Sequence, residues 1–184
     1  MAHSGHCGGH SHVHYYRRRS RGSSSWGEFF FRLSIIAVIL LIVTAIENDK
    51  LRGRHPLEGE YETYSSYLID NEEYFYNTQD MIDGLKYWKE RTNVQIVVMS
   101  ATGSWSDAKA LDKYYELFDD GAHVVIICPI AWYTSNTYYA IGDLADKVVD
   151  DDVIRHLIKQ VDNSRNGSKW KEELKALADM IIEE

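Results

Sequence analysis

Two groups of side chains in this 184-residue chain have the types and spacing of metal ligands. The first is His3, His6, Cys7, His10, His12 and His14, all within the first fourteen residues. Imidazole and thiolate suit zinc, nickel or copper, and a flexible segment can wrap around such an ion. A single cysteine matches no closed zinc-ribbon spacing, so the expectation is opportunistic binding by a tail. The second group is Asp119, Asp120, Asp143 and Asp146. If the apolar runs His123–Cys128 and Thr137–Ile141 pair as a hairpin, the start of one lies beside the end of the other. Asp119 and Asp120 then approach Asp143, with Asp146 one turn further on. Carboxylates gathered at one sheet edge repel each other unless a hard cation such as calcium or magnesium, or ordered water, lies between them. The same residues also read as an Asp-Asp-Gly turn and a helix cap.

The elements that position these groups follow from periodicity. Thr78 can cap a helix in which Met81, Leu85 and Trp88 share a face, ending near Arg91 to Asn93. Val94 to Met99 is a β-branched strand. Ser106 can cap a second helix, with Ala108, Leu111, Tyr115 and Phe118 on one stripe. His123 to Cys128 reads as a strand buried on both faces, and Thr137 to Ile141 as its neighbour. Val153, Ile154, Leu157, Ile158 and Val161 mark a helix that Asp150-Asp151-Asp152 introduces. Trp170, Leu174, Leu177 and Ile181 mark the last helix, with Ser168 as its cap. This order predicts a compact α/β sandwich, a mixed sheet with flanking helices, over residues 67–184.

Upstream the composition changes. Phe29 to Ile46 is apolar except at Arg32, Ser34 and Thr44, and eighteen helical residues rise about 27 Å against the roughly 30 Å of a bilayer core. The expectation is a transmembrane helix over 26–46, retained as a signal anchor because Glu-Asn-Asp follows in place of a small-residue cleavage site. Residues 1–25 form a disordered His- and Arg-rich tail and 47–66 a juxtamembrane linker. The first 46 residues hold five arginines against Glu28, a charge of +4, while the remaining 15 basic and 27 acidic residues give −12. Positive-inside logic places the N-terminus in the cytoplasm and the C-terminal domain outside it. So acidic a domain is a poor candidate for binding nucleic acid or anionic lipid. Cys7 and Cys128 fall on opposite sides in this scheme, so no intramolecular disulfide is expected.

Three stretches resemble the TPM domain, found in membrane-anchored bacterial proteins and in thylakoid-lumen proteins linked to photosystem repair. Leu85 to Val98 looks like its helix, turn and first long strand. Asp119 to Ile127 looks like its Asp-Asn-Gly strand segment, and Tyr138 to Leu144 like its strand ending in glycine. Asn93 stands where the family has glycine, Asp120 where asparagine is common, and the glycine expected after Gly142 is missing. The resemblance implies divalent-cation binding and, in some members, phosphoester hydrolysis.

The chain carries no G-x-S-x-G elbow, phosphate-binding glycine loop or dinucleotide fingerprint. His123 and His156 have no nucleophile near them in sequence. Three functions follow as expectations. The first is a membrane-tethered interaction or assembly module for other membrane or envelope proteins. The second is a metal-dependent phosphatase using Asp119, Asp120 and Asp143. The third is a metal-responsive transmembrane relay through the histidine tail.

Overall fold

The structure is a computed structural model that describes residues 25–130 and 136–182, without the side chains of 25–28, 44, 47 and 48. The first ligand group, His3 to His14, lies outside the described residues. The chain divides into two compact units at Thr44/Ala45.

Helix α1 spans Ser25–Leu51. The expectation that it crosses a membrane is corrected: among the described residues no helix is long and apolar enough to do so. The physical reason is charge at both ends of the apolar run: Arg32 and Glu47 confine the uncharged stretch to Leu33–Ile46, about 21 Å of helix against the roughly 30 Å of a bilayer core.

The second unit holds a mixed four-stranded sheet in the order β1-β2-β3-β4: β1 Leu68–Ile69, β2 Gln95–Ala101, β3 His123–Pro129 and β4 Tyr138–Ile141. β1–β2 and β2–β3 are parallel, and β3–β4 is antiparallel. The α/β part of the expected architecture therefore holds, with β1 added by the structure. All residues of β2 and β3 are buried, as a central strand covered on both faces requires. Alternation divides the side chains between two cores. Ile96, Val98, Val124, Ile126 and Cys128 pack with Met81, Leu85 and Trp88 of α2 (Thr78–Thr92). The same core takes in apolar residues of α4 (Asp151–Val161) and α5 (Gly167–Ile181). Val97, Met99, Val125 and Ile127 face α3 (Asp107–Leu117) through Ala110 and Tyr114, with Phe118 just beyond it. The crossover helices α2 and α3 thus lie on opposite faces of the sheet.

Caps explain most helix starts. The Ser106 side chain accepts from Lys109 N–H, and the Asp150 carboxylate accepts from Val153 N–H. Two expected caps are displaced. Asn77 precedes α2, with a left-handed backbone and no side-chain cap bond, and Asn166 caps α5 by accepting from Ser168 N–H. Asn93 ends α2 at φ 57°, a conformation asparagine tolerates where glycine would otherwise serve. Its amide donates to the Leu57 and Gly59 carbonyls at 2.7 and 2.9 Å, fixing the segment that leads into the sheet.

Candidate functional site

Tyr64 N–H and C=O bond to the side-chain amide of Gln95, which is buried at the start of β2 (2.8 and 3.0 Å). The amide mimics one more strand residue, so segment 62–65 is held at the sheet end. On the neighbouring strand start, β3 begins with His123, which is 3% exposed. Its Nδ1 lies 2.6 Å from Asp120 Oδ1, and its ring stacks on Phe118 at 4.3 Å and 8°. Tyr64 meets the Phe118 ring edge-on at 5.4 Å. Between these pieces lies a hollow of about 360 Å³ lined by Glu62–Ser65, Leu117–Asp120 and His123.

The electrostatics are set by burial. Asp120 Oδ1 also accepts from Ala122 N–H at 2.9 Å, so this carboxylate is committed to its own turn. The other ring nitrogen of His123, Nε2, is buried with no hydrogen-bond partner among the described residues. Such a group costs folding energy unless something satisfies it. Lys89 Nζ donates to Thr63 Oγ1. Burial holds that ammonium below the usual lysine value, while the charge of Asp120 pulls it back up. The Tyr114 hydroxyl donates to the Asp120 carbonyl at 2.7 Å. Burial, and then the charges of Asp120 and Asp143, push its pKa up to about 12.

The hairpin register places Val124 opposite Ile141. Gly121 and Gly142 meet there: a Cβ on Gly142 would lie 2.4 Å from the Gly121 carbonyl oxygen and 2.0 Å from the Tyr114 hydroxyl. Leu144 and Ala145 N–H both donate to the Gly121 carbonyl. The stretches Asp119–Ile127 and Tyr138–Leu144 therefore touch through backbone, at a contact that excludes any side chain on Gly142. Asp119 and Asp120 line the hollow, whereas the exposed Asp143 and Asp146 do not. Among the described residues no group of three or more histidine, cysteine, aspartate or glutamate side chains is placed to hold a metal ion.

His123 was not legible as part of a site. Its run, His-Val-Val-Ile-Ile-Cys, marks a strand, and only the i to i+3 spacing from Asp120 hinted at the pair. The structure shows it inward-facing, on an oriented ring. A histidine held by a carboxylate has a fixed tautomer and direction.

No protein-family model matches the chain, and comparison with curated proteins finds no match. Among solved structures the chain is similar to the N-terminal domain of the cg2496 protein from Corynebacterium glutamicum, determined by solution NMR. The two share 12% identity over 69% of this chain and 84% of that one, with a TM-score of 0.44. A likeness of this size carries no argument about fold or function.

Proposed function

We propose that the chain is a membrane-associated interaction module, with α1 holding it at lipid and a TPM-like α/β domain docking another membrane or envelope protein. One observation carries the reading. In α1 the large apolar side chains of Phe29–Phe31, Leu33, Ile35, Ile36 and Val38–Val43 are all exposed, at 44 to 69%. A helix that is apolar on every side needs an apolar surrounding, and each of these side chains gains on the order of 1 kcal/mol on leaving water. The hollow beside His123, with an oriented ring and an unsatisfied nitrogen, supports docking on the domain. The three TPM-like stretches fall on α2–β2, the start of β3, and β4.

The test is flotation of the full chain with phosphatidylcholine vesicles. The wild type should float, and the variant Ile36→Ser/Leu40→Ser/Val43→Ser should stay with the soluble fraction. Wild-type protein that fails to float would overturn the membrane part. For docking, crosslinking in native membranes should yield a partner that the variant Glu62→Ala/Asp119→Ala captures less. Equal capture by that variant would remove the hollow from the interface.

A further inference from the structure

A second hollow, of about 290 Å³, is lined by Lys50 and Leu51 from the last turn of α1 and by Asp152, Arg155, His156 and Lys159 of α4. Three cationic side chains and an imidazole thus surround one opening with a single carboxylate among them. Elsewhere this part of the chain is strongly acidic, so the cluster runs against the background charge. Arg155 is oriented within it. Its Nε lies 2.7 Å from Asp151 Oδ2 and 3.1 Å from the Tyr139 hydroxyl, and its terminal nitrogens have no partner among the described residues. Burial cannot explain the gathering, because Lys50, Arg155 and Lys159 are exposed.

We infer that this hollow takes the phosphodiester of an anionic lipid headgroup. Three features point to it. The charge is complementary, and Arg155 offers a planar guanidinium that suits phosphate oxygens. Lys50 and Leu51 close the helix that carries the apolar run assigned above to lipid, and basic residues that follow an apolar run in sequence suit anionic headgroups. The net charge of −12 does not forbid it, because charges beyond about 8–10 Å are screened at physiological salt. The sum over residues 47–184 therefore misjudges this patch. The inference rests on the membrane association proposed above.

The experiment compares binding of the full chain to vesicles of phosphatidylcholine alone and of phosphatidylcholine mixed with phosphatidylglycerol. The comparison is repeated with Lys50→Gln/Arg155→Gln/Lys159→Gln and with inorganic phosphate as competitor. The wild type should prefer the anionic vesicles by about thirty-fold, the effect of two net positive charges at such a surface. The triple variant should lose the preference while keeping its binding to phosphatidylcholine. Equal binding to both vesicles, or an undiminished preference in the variant, overturns the headgroup site and leaves the association through α1 standing. Binding to neither vesicle overturns both. Full competition by inorganic phosphate at concentrations too low to screen charge assigns the hollow to a free anion and overturns the lipid.

Discussion

Phe29–Val43 and His123–Pro129 are both mainly apolar runs rich in branched side chains, and they end in opposite surroundings. Every residue of β3 is buried, covered by α3 on one face and by α2, α4 and α5 on the other. The large apolar residues of the α1 run are exposed. Hydrophobicity is thus common to both, and the difference lies in what the chain supplies around them. β3 sits between segments whose own apolar stripes recur at helical spacing, while the segment before α1 is mostly glycine, serine, histidine and arginine. The β3 run closes a core within the chain, while the α1 run keeps its apolar side chains exposed.

The sharpest way to break this contrast is to make the same substitution in both runs. Ile126→Ala removes a fully buried side chain and should cost about 3–5 kcal/mol. Ile36→Ala should leave the stability of the α/β unit within about 0.5 kcal/mol. Urea unfolding followed by tryptophan fluorescence reads both, since Trp88 and Trp170 are buried in that unit. Comparable losses would show that α1 is part of the core.

Gly142→Ala comes next. The added methyl would press on backbone at Gly121 and on the Tyr114 hydroxyl, and the expected cost is about 2–3 kcal/mol. Pairing it with Tyr114→Phe relieves one of the two clashes. A double variant no more stable than Gly142→Ala would place the strain on the Gly121 carbonyl alone.

How much of this was legible follows from the kind of signal each element carries. β2, β3 and β4, the α3 cap at Ser106 and the α4 cap at Asp150 are local patterns, and the sequence predicts them within one or two residues. β1 is two residues long and leaves no period to detect. The Asp120–His123 pair was hidden because a strand pattern says that a residue is buried and nothing about its ring. The basic hollow was hidden twice. Lys50 and Arg155 are about a hundred positions apart, and a net charge summed over the domain cancels what the fold gathers. A spanning helix was read from the length of the apolar run, and among the described residues no helix is long and apolar enough for it.

Alkaline pH probes the buried side of the comparison without mutation. Burial raises the Cys128 thiol to about 12 from 9.0, and burial with Asp120 and Asp143 raises Tyr114 to about 12 from 10.0. Both groups are neutral in the folded protein while the unfolded chain ionises first. Their contribution is therefore complete below about pH 9 and lost as pH climbs towards 12. The urea midpoint should fall over that window, and Cys128→Ala with Tyr114→Phe should flatten the fall. A slope that the double variant leaves unchanged would mean other groups carry it.

Asp150→Ala has a smaller effect. It removes both the α4 cap on Val153 N–H and the 2.7 Å pair with Arg54, and it should cost about 1–2 kcal/mol. Asp150→Asn keeps a capping oxygen and removes the charge. It should recover most of the loss if capping dominates, and little of it if the Arg54 pair does.

The smallest expected change decides whether the cations beside α1 are there for the fold. Arg155 leaves 70% of its side chain exposed, and its partner Asp151 is 54% exposed. Ion pairs in such surroundings contribute little because water and salt screen them. Arg155→Gln should therefore leave the urea midpoint within the scatter of repeat measurements, and so should Lys159→Gln. Vesicle binding read on the same proteins should move while the midpoint stays still. If the midpoint falls along with the binding, Arg155 serves α4 through Asp151 and Tyr139, and the cluster needs no ligand to explain it.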